Sequence, residues 1–84
     1  MKVLVKQYFE PDFKSNQQSF IQEVSNLESM PDMIYHKWLS NSGDETGPDL
    51  SIVLEDLQIN SNDCKFNIYS QSKLRCSVEI EVLN

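Results

Sequence analysis

The stretch that decides the fold is residues 74–82, Leu-Arg-Cys-Ser-Val-Glu-Ile-Glu-Val, in which apolar and polar side chains alternate without a break. Successive side chains of a β-strand point to opposite faces of a sheet, so this order predicts a strand with one buried and one solvated face. At helical spacing the same apolar residues would be spread around the whole circumference. We therefore assign a β-strand here and place the other elements around it.

The segment before this strand predicts its hairpin partner. Residues 64–69 also alternate, and residues 70–72, Ser-Gln-Ser, have the composition of a turn. We expect an antiparallel hairpin between residues 64–69 and 74–83, with Tyr69 opposite Lys73.

The two cysteines, Cys64 and Cys76, fall on the two strands of this hairpin. In the expected register they are diagonal neighbours, about 7–8 Å apart, which is long for a disulfide. We therefore predict two reduced, buried thiols.

Two further strands are predicted. Residues 2–9 are rich in β-branched and aromatic side chains and stop before Pro11, and apolar residues on both faces indicate a strand inside the sheet. In residues 50–59 the apolar alternation reverses its phase partway along. A slip of one residue indicates a β-bulge, which we place at Glu55-Asp56.

The sequence predicts a helix over residues 16–29. Ser15 and Gln18 have the spacing of a capping box, and the helix should end before Pro31. The apolar stripe of this helix consists of Phe20, Ile21, Val24 and Leu27.

Residues 33–40, Met-Ile-Tyr-His-Lys-Trp-Leu-Ser, fit two structures. A helix would have a weak apolar stripe of Ile34 and Trp38, whereas the aromatic content favours a strand. Residues 41–49 contain two glycines and a proline among polar side chains and are predicted as a loop.

These elements predict an α+β fold in one small domain, residues 1–84, in the order β-α-β-β-β-β. The sheet would be mainly antiparallel with four or five strands, and one helix would pack on one face. The face that the helix covers would be formed by Leu74, Cys76, Val78, Ile80, Phe66 and Ile68.

The charge balance limits the classes of partner. The chain has 13 acidic and 7 basic side chains and a formal net charge of −6. This sign repels phosphate, which argues against direct nucleic-acid binding and favours a basic protein partner. No apolar run approaches the ~18 residues of a membrane helix, so we expect no membrane contact and a cytoplasmic location.

The sequence contains no recognisable catalytic motif. His36 is the only histidine, and neither cysteine lies near it in the sequence. Asp44 and Glu55 have the spacing of the first and last ligands of an EF-hand loop, but Asp49 occupies the position that requires glycine. We therefore expect a protein that is not an enzyme, with no catalytic residues, cofactor or metal.

The candidate site is a protein-binding surface. If residues 33–40 and 50–59 are hairpin neighbours, aromatic side chains and carboxylates meet at one end of the sheet, a composition typical of tight interfaces. The candidate partner-binding residues are Tyr35, His36, Trp38, Asp44, Glu45, Asp49, Glu55 and Asp56.

In size, acidity and lack of catalytic groups the chain resembles the immunity proteins that neutralise bacterial nuclease toxins, and also phage-encoded nucleic-acid mimics. The resemblance is one of bulk properties over the full length. It implies an inhibitor that covers the active or phosphate-binding site of a basic partner. The alternative is a structural module in which strand 2–9 or strand 74–82 lies at a sheet edge and pairs with a second copy, as a homodimer, or with a larger complex.

Overall fold

One antiparallel sheet and one α-helix make up most of the structure. The computed structural model describes residues 1–42 and 51–83. The strands follow one another across the sheet in the order β2-β1-β5-β4-β3, and each neighbouring pair is antiparallel. In chain order the elements are β1 (Lys2–Phe9), β2 (Gln17–Glu23), a short 3₁₀ helix (Leu27–Ser29), α1 (Met30–Ser42), β3 (Val53–Ile59), β4 (Asp63–Ser70) and β5 (Lys73–Leu83).

The strand that decides the fold, β5, lies in the middle of the sheet. Cys76, Val78 and Ile80 are buried, and Glu79 and Glu81 are exposed, which confirms the predicted alternation. The α+β fold class, with a five-stranded antiparallel sheet and one helix, is also confirmed. The element order is wrong, because the chain runs β-β-α-β-β-β.

The edges of the sheet are β2 and β3. β1 lies between β2 and β5, so the prediction that residues 2–9 form an interior strand is confirmed. The alternative that strand 2–9 or strand 74–82 lies at an edge is wrong, because both have a hydrogen-bonded neighbour on each side.

The predicted helix at residues 16–29 is wrong. β2 pairs along its whole length with β1, so its hydrogen bonds come from a neighbouring strand rather than from within a helix. Phe20 and Ile21 therefore point to opposite faces, and Ile21 is 63% exposed. The predicted capping box is absent, because the Ser15 amide donates to the Asp12 carbonyl in a turn.

The predicted strand at residues 33–40 is also wrong, and the helical alternative is correct. α1 begins at Met30, and Pro31 lies in its first turn, where a missing amide hydrogen costs no helix bond. Asn26 caps the preceding 3₁₀ helix by accepting a hydrogen bond of 2.9 Å from the Ser29 amide. Ile34 of α1 is buried against the sheet.

The predicted bulge in the third strand of the chain, β3, is confirmed. The register between β3 and β4 shifts between Glu55 and Gln58, and Asp56 has a φ of 62°. A positive φ at the extra residue is typical of a bulge that bends the strand. Residues 41 and 42 end α1, and the remainder of the predicted loop at 41–49 lies outside the described residues.

The β4–β5 hairpin forms in a different register from the predicted one. Gln71 and Ser72 have φ values of 54° and 63°, which suits a two-residue turn of type I′. Ser70, not Tyr69, is therefore opposite Lys73. The two-residue turn moves the register by one residue from the expected one, and the register shift between Ile68 and Tyr69 moves the pairs beyond it by one more.

The new register separates the two cysteines further. Cys64 lies opposite Ile80, and Cys76 lies opposite Ile68. Both thiols are free and buried, which confirms the prediction.

The core lies between the sheet and α1. The register shift that follows Ile68 places Leu74 opposite Tyr69, and Leu74 is half-buried outside the core cluster, which corrects the predicted covered face at this position. The remaining predicted residues of that face are all buried in the cluster. The main members of the cluster are Val3, Val5, Met30, Ile34, Cys64, Phe66, Ile68, Cys76, Val78 and Ile80.

Candidate functional site at the β3 edge

Edge strand β3 exposes apolar side chains along its length. Val53 is 40% exposed, Leu57 47% and Ile59 40%. Half of the large apolar side chains that are exposed in the described part of the chain lie on this one strand. Val53 lies opposite Tyr69 on the uncovered face, whereas Ile59 lies opposite buried Cys64 on the helix side. Exposed apolar groups on an edge strand are typical of a place where another protein binds.

Two carboxylates lie among these apolar residues, at the bulge. Glu55 and Asp56 are both exposed. Asp56 Oδ2 accepts a hydrogen bond of 2.8 Å from Asn67 Nδ2 and another of 3.1 Å from the Tyr69 hydroxyl. The carboxylate of Asp56 is therefore fixed from the neighbouring strand, and side-chain freedom is lost before any partner arrives.

The Tyr69 phenol is electrostatically coupled to this acidic pair. The hydrogen bond to Asp56 raises the pKa of Tyr69, and burial and the charges of Asp56 and Glu55 act in the same direction. Tyr69 therefore stays protonated at neutral pH and keeps donating to Asp56.

Two of the predicted aromatic residues lie near the beginning of β3, although on a helix rather than on a neighbouring strand. The Tyr35 hydroxyl donates a hydrogen bond of 3.0 Å to the carbonyl of Ile52, the residue before β3. The exposed His36 ring lies 5.8 Å from the Tyr35 ring, between centroids. The structure therefore brings Tyr35 and His36 to the N-terminal end of β3.

The third predicted aromatic residue lies elsewhere. Trp38 is half-buried and stacks on Phe9 of β1, with ring centroids 6.3 Å apart. Both rings line a groove of about 390 Å³ between α1 and strands β1 and β2. Since β5 and β4 separate β1 from β3, Trp38 does not join the β3 edge.

No protein-family model matches the chain, and neither does a curated protein or a solved structure.

Asp44, Glu45 and Asp49 lie outside the described residues, so their part in the site stays a prediction. No helix in the described ranges is long and apolar enough to cross a membrane.

Two further carboxylates of the uncovered face, Glu79 and Glu81, lie close to lysines. Glu79 lies opposite Lys6 on one neighbouring strand and opposite Lys65 on the other, and Lys6 Nζ is 3.6 Å from a carboxylate oxygen of Glu81. These residues line a shallow pocket of about 290 Å³ with mixed charge. Asp63 lies opposite Glu81 in the same pocket. At the bulge, by contrast, Glu55 and Asp56 have exposed Val53 and Leu57 beside them.

The thiols are unsuited to nucleophilic chemistry. Burial raises the pKa of Cys76 to about 11, and burial followed by the charge of Asp63 raises the pKa of Cys64. A protonated, buried thiol is a poor nucleophile and a poor metal ligand. Among residues 1–42 and 51–83, no group of three or more His, Cys, Asp or Glu side chains is placed to hold a metal ion.

Sequence reasoning missed the apolar half of this site. The predicted phase reversal is correct for Ile59, which lies opposite buried Cys64, but Leu57 and Ile59 are both exposed. The sequence pattern does not indicate the roles of Asn67 and Tyr69. The signal that could have indicated them was the bulge, because bulges are concentrated at sheet edges. An edge strand has no neighbour to cover its apolar side chains on the outer side.

Proposed function

We propose that this protein is a small, non-enzymatic binding module that inhibits a basic protein partner, such as a nuclease toxin, by covering its active or phosphate-binding site. The observation that carries the proposal is the composition of edge strand β3. Glu55 and Asp56 lie at a bulge between exposed Val53 and Leu57. Carboxylates beside apolar contact groups suit a cationic protein surface that normally holds phosphates.

The charge of the whole chain supports this assignment. A formal net charge of −6 attracts a cationic protein over several ångströms and repels nucleic acid. The cytoplasmic location expected from the sequence is part of this proposal. The mixed charges around Glu79 contribute less to the attraction, because Lys6 and Lys65 lie directly opposite.

The fixed geometry at the bulge supports specific recognition. Because Asn67 and Tyr69 occupy Oδ2 of Asp56, the carboxylate has a defined orientation before binding. A preorganised acceptor loses little further conformational entropy when an arginine or lysine of the partner reaches it. Tyr35 and His36 extend this surface at the beginning of β3, whereas Trp38 packs elsewhere.

The proposal is tested by capture from the native host followed by binding kinetics. The partner is identified by affinity purification with the wild-type protein, and its association rate is then measured at low and high salt. The test variant is Glu55→Gln/Asp56→Asn, and the matched control is Glu79→Gln/Glu81→Gln, which removes the same charge from the same face.

We expect the test variant to lower the association rate about tenfold at low salt, and the control to change it about twofold or less. Leu57→Ser should instead raise the dissociation rate, because it removes an apolar contact. Equal effects of the two double variants would show that only net charge matters and would contradict a site at β3. Capture of no basic protein at all would contradict the inhibitor function.

A further inference from the structure

Among residues 1–42 and 51–83, the second edge strand, β2, has a strand neighbour on one side only, and it contains no lysine, proline or bulge of its own. Its ladder with β1 continues through seven pairs without a register shift. Residues 17–22, Gln-Gln-Ser-Phe-Ile-Gln, contain no charge and no proline. Edge strands normally avoid association through lysine, proline or a bulge, and β3 has such a bulge at Asp56. β2 is therefore open to a further strand.

Hydrogen bonds at the two ends of the β1–β2 ladder show which backbone groups of β2 face outward. The nitrogens of Met1 and Val24 each donate to the other residue's carbonyl at 2.8 Å, and the Phe9 amide donates to Asn16 at 3.0 Å. Bonded pairs alternate in an antiparallel ladder, so the even-numbered residues of β2 bond to β1. The residues with outward-facing backbone groups are Gln17, Ser19, Ile21 and Glu23.

We propose that β2 pairs with β2 of a second copy of this chain, antiparallel and around a two-fold axis at Phe20. In this register Ser19 lies opposite Ile21 of the second copy, and Gln17 lies opposite Glu23 of the second copy. All four outward-facing residues are used, and about eight backbone hydrogen bonds form, two for each of four pairs. The two sheets then join into one sheet of ten strands, five from each copy.

The side chains of β2 are complementary to themselves in this register. Ile21, which is 63% exposed, becomes the diagonal neighbour of Ile21 of the second copy on the uncovered face. On the helix side Phe20 lies opposite Phe20 of the second copy, and in each copy Lys37 Nζ lies 5.5 Å from the centre of the Phe20 ring. The single charged residue of the strand, Glu23, lies opposite a neutral glutamine, so no like charges are placed directly across the seam. A symmetric contact of this kind closes as a dimer.

The small contact area limits the strength of the dimer, and the net charge determines how the dimer responds to salt. Two strands alone bury less than the 1,200–2,000 Å² typical of a stable interface, so we expect a dissociation constant of about 100 µM at physiological salt. Each copy carries a formal charge of −6, and added salt screens their repulsion. Dimerisation should therefore strengthen with salt, whereas binding to a basic partner at β3 should weaken.

The dimer does not depend on the proposed inhibitor function, because β2 and β3 lie at opposite edges. Dimerisation through β2 leaves a β3 edge free at each end of the joined sheet. The dimer would present two copies of the acidic edge to a partner.

The experiment is sedimentation velocity of the full chain from about 10 µM to about 1 mM, at about 0.05 M and about 0.5 M NaCl. We expect a shift from monomer toward dimer across this range, with a dissociation constant roughly fivefold lower at the higher salt. Amide hydrogen exchange at both ends of the concentration range locates the contact. The amides of the four outward-facing residues should slow with concentration, and that of Phe20 should not.

Two pairs of variants test the register. Ser19→Pro removes an outward amide without touching the β1 ladder and should abolish the dimer, whereas Ser19→Ala keeps the amide and should dimerise. Ile21→Lys should weaken the dimer at least tenfold. Gln17→Lys adds the same charge opposite Glu23 of the second copy and should strengthen it.

A monomer at every concentration and salt would overturn the proposal. So would a dimer that Ser19→Pro and Ile21→Lys both leave intact while the outward amides of β2 exchange freely. Protection of those amides only after addition of the captured partner would assign the edge to that partner instead. If Ser19→Pro fails to fold, the opposite effects expected of Ile21→Lys and Gln17→Lys decide the question.

Discussion

The hydroxyl of Tyr69 on β4 donates a hydrogen bond of 3.1 Å to Oδ2 of Asp56, the residue with positive φ in the bulge of β3. This contact connects the acidic edge to the interior of the sheet. It also makes the ionisation of Tyr69 a reporter of the charge at the bulge, because the carboxylate opposes loss of the phenolic proton.

We predict that Asp56→Asn lowers the pKa of Tyr69 toward the ordinary tyrosine value of 10.0. In the wild type the folded-state pKa is raised, so the stabilisation from this contact is present below about pH 10 and is lost as the pH rises through the folded-state pKa. Residue-resolved NMR titration of the tyrosine rings measures the shift. Glu79→Gln is the control, since Glu79 makes no contribution to this pKa. An unchanged Tyr69 titration in Asp56→Asn would contradict the coupling.

A second charge contact joins the end of β1 to β5. The Arg75 guanidinium donates to Glu10 at 2.5 Å, and Lys73 Nζ lies 3.4 Å from the other carboxylate oxygen. The hydrogen bond from Arg75 lowers the pKa of Glu10, against an opposing effect of burial, and Lys73 adds to the lowering. Since the folded-state pKa lies below 4.5, the stabilisation is present above that pH and is lost as the pH falls through the folded-state value.

We therefore predict that Glu10→Gln lowers the urea midpoint at neutral pH. The difference from the wild type should shrink as the pH falls below the ordinary glutamate pKa and vanish in acid. Glu28→Gln serves as the control, because Glu28 is exposed and forms no ion pair within the described residues. A difference of the same size in acid would show that Glu10 acts through packing rather than charge.

The strands in which apolar and polar side chains alternate could be predicted from the sequence. The position of α1, the helix that covers the sheet, could not. β5 and β4 bury one face and solvate the other, so their period of two is visible in the chain. β2 lies at an edge and leaves Ile21 exposed, which removes the alternation and creates an accidental helical stripe. Its pairing with β1 is a long-range contact that local pattern does not report.

The helix α1 could not be identified from its sequence pattern either. α1 buries Met30 and Ile34, but Tyr35 and Trp38 are only half-buried, so its apolar stripe is weak. The bulge at β3 was predictable because a slip in alternation has one structural cause. That β3 is an edge strand was not predictable, because edge position depends on the order of all five strands.

The buried thiol of Cys76 gives a kinetic prediction. With a pKa of about 11, roughly one thiol in a thousand is ionised at pH 8, and burial restricts access further. In the folded protein at that pH, we expect both cysteines to react with a disulfide reagent no faster than the whole protein unfolds. In urea, we expect both to react immediately. The two rates should respond equally to denaturant. Rapid labelling of one thiol in native buffer would show a local opening near that cysteine.

The last prediction concerns two isoleucines with opposite environments. Ile80 is 2% exposed in the central strand, and Ile21 is 63% exposed at the β2 edge. Ile80→Ala removes buried methylene groups of the core cluster, opposite Val5 and Cys64 on the two neighbouring strands, and we expect it to lower the free energy of unfolding by about 2–5 kcal/mol. Ile21→Ala should change it by less than about 0.5 kcal/mol in the monomer, because few contacts are lost. Urea unfolding at low protein concentration, where the proposed dimer is dissociated, measures both. A large loss of stability for Ile21→Ala under those conditions would mean that Ile21 is covered within one chain. Ile21 could then not contact a second copy.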